Sequence, residues 1–218
     1  MKHRIMLVDD HAIVLHGLAQ LIDSAQDMEV VFQAENADIA IAALQQGIVP
    51  DLVVTDISLP GMSGIELIRH IAKRHPGIPV LVISMHDEMI HGERSFRAGA
   101  RGYIMKQEAT DKLLLAIRKI LAGENYVSTR LQSLILEKIR GDKTTISPTS
   151  IMGKLTDREY EVLRLIGMGM ACGEIAAKLN RHVKTIETHR SHLKEKFGLR
   201  NSSELYRFAA TWTDHGAL

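Results

Sequence analysis

Five polar residues stand directly after short apolar runs rich in β-branched side chains. Asp9 and Asp10 follow Ile5-Met-Leu-Val8, Asp56 follows Leu52-Val-Val-Thr55, Ser84 follows Val80-Leu-Val-Ile83, and Lys106 follows Gly102-Tyr-Ile-Met105. Continuous apolar runs of this length suit strands covered on both faces, as in a parallel sheet. In an open α/β sheet, residues beyond the carboxyl ends of the strands converge on the crevice where the strand order reverses. Three carboxylates there repel one another unless a cation lies among them. Hard oxygen donors, with room for water and a phosphoryl group, favour Mg2+ over a softer metal.

A second set lies near the C-terminus. Between 178 and 200 there are seven basic residues (Lys178, Arg181, Lys184, Arg190, Lys194, Lys196, Arg200) and two acidic ones (Glu187, Glu195). Val183–Phe197 has helical spacing with two faces. Ile186, Leu193 and Phe197, with Arg190 between them, form a packing stripe, and Lys184, Glu187, Thr188, Ser191 and Lys194 lie on the other side. The charge is uneven along the chain: residues 1–150 carry 16 Lys and Arg against 18 Asp and Glu, and residues 151–218 carry 11 against 8. A basic, helical C-terminal piece suits nucleic acid only when a motif accompanies the charge.

The elements that must position these residues follow from the same patterns. A fifth apolar run, Val30-Val-Phe32, completes a set of five strands. Amphipathic stretches at Ala12–Ile22, Asp38–Gln45, Gly64–Arg74, Ser95–Ala98 and Asp111–Ala122 alternate with them. Five β–α units imply a doubly wound, five-stranded parallel sheet with helices on both faces. Ser128–Arg140 reads as a connecting helix and Gly141–Ser150 as an exposed linker. Thr156-Asp-Arg-Glu159 and Asn201-Ser-Ser-Glu204 are capping-box sequences, and they frame a small all-α unit of four helices: one from Thr156 to about Met168, then Gly173–Leu179, Val183–Phe197 and Leu205–Trp212. The expected domains are 1–123, a linker over 124–152, and 153–218.

Composition narrows the class. The chain has 218 residues, is 45% hydrophobic and 24% charged, and is only 4% aromatic, so aliphatic packing must build its core. No apolar run approaches the roughly 20 residues of a membrane span. One cysteine, Cys172, excludes an internal disulfide framework and a multi-cysteine zinc site. A reduced, cytoplasmic protein is expected.

The N-terminal pattern resembles a response-regulator receiver domain over residues 1 to about 123. The matching strings are Leu7-Val-Asp-Asp-His11, Asp51-Leu-Val-Val-Thr-Asp56, Leu59-Pro-Gly-Met-Ser-Gly64, Ile83-Ser84 and Gly99-Ala-Arg-Gly-Tyr-Ile-Met-Lys106. The resemblance implies that Asp56 is the phosphoacceptor, attacking phosphohistidine on a sensor histidine kinase. It implies Mg2+ held by Asp10, by Asp9, by Asp56 and by the backbone carbonyl of Ser58. Phosphoryl transfer is mostly positioning and charge neutralisation, so one divalent ion plus Lys106 can carry it. Ser84 would bond a phosphoryl oxygen only once phosphate arrives, and such a differential contact can bias a conformational equilibrium. Tyr103 is then placed to swing inward behind Ser84 as a switch residue. Receivers often have proline, with a cis bond, directly after the lysine; Gln107 stands there, so the resemblance carries no cis-peptide feature to this point.

Residues 153–212 resemble the LuxR-type DNA-binding module of the NarL/FixJ class of response regulators. The matching residues include Leu155-Thr-Asp-Arg-Glu159, Val162-Leu163, Gly169, Glu174-Ile-Ala176, Lys184-Thr-Ile186, His189, Leu193 and Phe197-Gly-Leu199. By family alignment Glu187, Thr188 and Ser191 face the bases, and Lys184, Arg190, Lys194 and Arg200 suit phosphates. Two departures stand out. His182 replaces a common capping serine, which predicts a weaker cap, and Cys172 replaces a common asparagine.

The whole reads as a DNA-binding transcriptional response regulator of a two-component phosphorelay. Its expected partners are the kinase and double-stranded promoter DNA, with RNA polymerase a further candidate and a homodimer forming on phosphorylation. It is not expected to be a turnover enzyme, although an acyl phosphate hydrolyses slowly by itself. Haloacid-dehalogenase-type phosphatases need a second aspartate two residues after the nucleophile, and Ser58 stands there. The remaining alternative is a receiver whose helical unit binds a protein; a steep salt dependence distinguishes DNA.

Overall fold

The structure, a computed structural model, describes residues 2–85, 88–128, 131, 133, 155–179 and 181–215. The expected helix over 128–140 lies outside them except at 128, 131 and 133, and the expected linker over 141–150 lies wholly outside. The chain divides into two compact units, residues 1–142 and 143–218.

In the first unit five strands form one parallel sheet in the order β2-β1-β3-β4-β5: β1 His3–Val8, β2 Met28–Ala34, β3 Leu52–Thr55, β4 Val80–Ser84 and β5 Gly102–Met105. Between and after them run α1 Ala12–Asp23, α2 Ala37–Gln45, α3 Gly64–Arg74, α4 Glu88–Ala98 and α5 Ala109–Leu121. Strand residues alternate between two cores, as the period of two requires. Met6, Val8, Val53 and Val82 pack with α2 and α3 residues such as Ala40, Ile68 and Ile71. Ile5, Leu7, Val54, Leu81 and Ile83 pack with α1 and α5 through Leu15, Ile22, Leu113 and Ile117. Both faces are therefore covered, which is why the strands read as unbroken apolar runs.

In this unit α4 differs most in extent from the sequence expectation. The spacing predicts a helix over Ser95–Ala98 only, and α4 begins at Glu88. Its first turns contain charged residues and Gly92, a poor helix former, so tertiary contacts described below must support them.

Among the described residues the second unit has helices as its regular elements: α6 Asp157–Gly167, α7 Cys172–Lys178, α8 Val183–Phe197 and α9 Ser202–His215. The last is longer than the expected Leu205–Trp212. Helix α6 packs on both α8 and α9, burying Val162, Leu163 and Ile166 with Ile175, Ile186, Leu193, Leu205 and Ala209. Phe197 and Phe208 close one end, with ring centroids 4.6 Å apart. Among the described residues no helix is long and apolar enough to cross a membrane.

Candidate functional site

The acidic crevice is built by sheet register. The N–H of Asp9 donates to Ala34 on β2 at 3.0 Å, and that of Asp56 donates to Val8 on β1 at 2.9 Å. Each strand's ladder is thus extended by one residue, delivering both carboxylates to the point beside β1 where the strand order reverses. Asp9 and Asp56 are almost fully buried, at 1% and 3% exposure. The Lys106 ammonium lies between them, 2.5 Å from Asp9 Oδ2 and 2.8 Å from Asp56 Oδ2. Asp9 Oδ2 is buried, and its close contact is with the Lys106 ammonium. Burial alone would lower the Lys106 pKa, but its bonds to Asp56 and Asp9 outweigh this and hold it above the ordinary lysine range.

Asp10 is partly exposed at the mouth. His11 Nδ1 sits 2.8 Å from Asp10 Oδ1 and 3.2 Å from Asp9 Oδ1. Ligand atoms of Asp9, Asp10, His11 and Asp56 lie within 4.8 Å of one another. An oxygen-rich cluster with two buried carboxylates fits a hard divalent cation. Ser58 lies half-buried on the following loop, its N–H 3.4 Å from Asp56 Oδ1, and the Ile57 N–H donates to the same oxygen at 2.6 Å. That loop is clasped at its base: the Gly64 N–H donates to Ile57 at 2.8 Å, and a Cβ on Gly64 would overlap the carbonyl of Asp56. Ser63 then caps α3 in a capping box with Glu66, a signal present in Ser63-Gly-Ile-Glu66 but not used in the sequence reading.

Ser84 is the last residue of β4 and is fully buried. Tyr103, expected to swing inward, is already inside at 1% exposure, packed in the core formed with α2 and α3. All peptide bonds described are trans, including that before Gln107.

In the second unit α7 and α8 follow one another with four residues between. On α8, Lys184, Glu187, Thr188 and Ser191 are exposed and Lys194 is half-buried, whereas Ile186 and Leu193 are buried. The Thr188 hydroxyl donates to the Lys184 carbonyl at 3.0 Å. Arg200 is exposed just beyond the helix, its N–H donating to Glu204 at 2.7 Å. His182 precedes α8 without a side-chain cap.

Arg190 departs from the phosphate-facing expectation. It is half-buried, with Nη1 2.6 Å from Cys172 Sγ and its guanidinium 5.1 Å from the Tyr206 ring centroid. It joins α7, α8 and α9, and the sequence signal was its place within the apolar stripe.

Glu159 was legible only as a cap. Its Oε2 accepts from the Thr156 N–H at 2.7 Å and from the Thr156 hydroxyl at 2.9 Å. The same oxygen meets Lys196 of α8 at 2.6 Å. Burial would raise the Glu159 pKa, but Lys196 and Thr156 bring it below the usual glutamate value. His189, on the same side of α8, is held below the ordinary histidine pKa by burial.

Residues 5–118 match the response regulator receiver domain family, and residues 153–209 match the bacterial regulatory proteins of the luxR family. The chain is 35% identical over 209 residues to the oxygen regulatory protein NreC of Staphylococcus aureus, covering 94% of this chain and 96% of the relative. Among solved structures it is similar to RcsB from Salmonella enterica serovar Typhimurium bound to promoter P1flhDC in the presence of phosphomimetic BeF3-, with TM-score 0.66, 27% identity, and 97% and 100% of the two chains covered. A LuxR-family two-component response regulator from Aurantimonas sp. SI85-9A1 is 37% identical with TM-score 0.59, over 64% of this chain and 99% of that one.

Proposed function

Since the chain belongs to the response regulators of two-component systems that carry a LuxR-type DNA-binding domain, we propose that phosphorylation of Asp56 controls its binding to promoter DNA. The observation that carries this reading is the Lys106 ammonium held between Asp9 and Asp56 at the strand-order reversal. An Asp56 oxygen attacks the phosphorus of a kinase phosphohistidine; the P–N bond breaks as the P–O bond forms, and the imidazole leaves with a proton from solvent. Lys106 turns from Asp56 to a phosphoryl oxygen, and the Ser84 hydroxyl donates to another. A divalent cation, Mg2+ by the hard-donor rule, would be held by Asp9, Asp10, Asp56 and the Ser58 carbonyl, and supplies charge neutralisation for the phosphoryl oxygens. Slow hydrolysis of the acyl phosphate returns the resting form. Tyr103, packed inside on β5, acts with Ser84 as the switch pair.

On DNA, α8 enters the major groove. Lys184, Lys194 and Arg200 bond phosphates, and Glu187, Thr188 and Ser191 meet base edges. Arg190 is assigned instead to holding α8 against Cys172 and Tyr206. One module of this size gives little contact area alone, so a phosphorylation-dependent homodimer on paired half-sites follows. Residues 1–123 act as receiver, 124–152 as connection and 153–218 as output, in a cytoplasmic protein with RNA polymerase as a further partner.

The test uses a small acyl phosphate donor with Mg2+. The wild type is expected to take one phosphoryl group and to bind its DNA site more tightly. Asp56→Asn is expected to do neither; equal labelling of the variant would refute the assignment.

A further inference from the structure

The chain does not leave the first unit when α5 ends. Tyr126 returns to the outer edge of β5, where its N–H donates to Arg101 at 2.9 Å and its carbonyl accepts from Tyr103 at 3.1 Å. Gly102, its bridge partner, has no room for a side chain: a Cβ there would lie 2.8 Å from Ile120, 2.9 Å from Leu81 and 3.1 Å from Tyr126. Two residues on, the Ser128 hydroxyl bonds the Glu88 carboxylate, the first residue of α4, and accepts from the Leu131 N–H at 3.1 Å. Leu131 is fully buried, and a Cβ on Gly92 would overlap its side chain. Tyr126, Ser128 and Leu131 thus act as a strap: Tyr126 pairs with the outer edge of β5, and Ser128 and Leu131 hold α4 at two points one turn apart. This contact supports the early turns of α4 that sequence propensity does not.

The strap is also where the chain sets out toward the second unit, and α4 starts four residues after Ser84. From this juxtaposition we propose that the strap is an inhibitory brake. The Glu88–Ser128 bond and the Leu131 seat at Gly92 hold α4 in its resting place. Drawing Ser84 toward a phosphoryl oxygen pulls on Glu88 and loosens both. Ser128 and Leu131 then come off α4 and pass the change into the connection. This rests on the proposed role of Asp56 and Ser84.

Linkage requires reciprocity: if phosphorylation weakens the strap, a weakened strap must favour the phosphorylated state by the same factor. The probe is beryllofluoride with Mg2+, titrated into the full-length protein. Leu131→Ala, and the milder Ser128→Ala, are each expected to tighten beryllofluoride binding at least about 5-fold, the lower end of ordinary coupling between sites. In the wild type, saturation with beryllofluoride is expected to speed amide hydrogen exchange over 126–131. Unchanged affinity in both variants, once exchange shows the strap released in them, would overturn the brake. So would a wild-type strap whose exchange does not respond to beryllofluoride. A wild type that shows this coupling but no change in DNA affinity would count against the proposed function alone and leave the brake standing.

Discussion

Both units contain a lysine pressed against a buried carboxylate, and the two pairs are built to opposite ends. In the helical unit Glu159 Oε2 receives Lys196 and both donors of Thr156. Every group in that cluster is answered, and the result is a joint between α6 and α8. In the crevice Lys106 faces both Asp9 and Asp56 while Asp10 stands alongside, so carboxylates outnumber the fixed cation. The surplus is expensive to bury, and it fits the divalent cation and the phosphoryl exchange proposed above. A close ion pair therefore says little by itself. What is left unanswered around it separates a working site from a structural one.

Breaking the crevice pair should have the largest effect. Lys106→Ala is expected to keep divalent-cation binding, since the carboxylates remain, yet to lose most of the phosphorylation response. Sedimentation with and without a phosphodonor reads this, and undiminished phosphate-dependent dimerisation would contradict the role given to Lys106. Next come the outward residues of α8. Glu187→Ala should relax preference at one base pair, costing about 1–3 kcal/mol on the best site. Lys194→Ala should instead weaken all sequences alike and lower the salt slope by about one. Titrations on a randomised site library at two salt concentrations distinguish them.

The structural joint should yield less. Glu159→Gln keeps the shape of the cap but removes the charge that Lys196 meets there, and about 1 kcal/mol of stability should be lost in urea melts. Retained phosphodonor labelling in the same variant would show that the loss is local. The smallest effect belongs to His189, faced by Glu159, His192, Arg158 and Arg181. Burial places its folded pKa below the ordinary 6.5. The unfolded chain therefore takes up the proton first, and the neutral ring's contribution is complete above about pH 6.5 and declines as pH falls through the folded value. Calorimetry of the wild type and His189→Gln at several pH values should show a shallower acid decline in the variant.

Much of this arrangement was readable in the residues. Runs such as Leu52–Thr55 admit few alternatives to a buried strand, and a parallel sheet then forces Asp9, Asp56 and Lys106 to one end. Local capping chemistry was equally plain at Thr156 and Glu159. Contacts between distant segments were not. Nothing near Lys196 announces Glu159, and the polar residues around Gly92 conceal a helix whose support comes from Leu131, about forty positions later. For Arg190 charge suggests phosphate, while its partly inward place depends on Cys172 and Tyr206 arriving from two other helices.

The glycine at the base of the Asp56 loop has a bearing on genetics. Gly64 carries no charge, yet any side chain there collides with the backbone of Asp56, the proposed acceptor. In a random-mutagenesis screen for signalling-dead alleles, Gly64 should therefore score alongside Asp56, and suppressors should map to residues that let α3 retreat rather than to the acidic cluster.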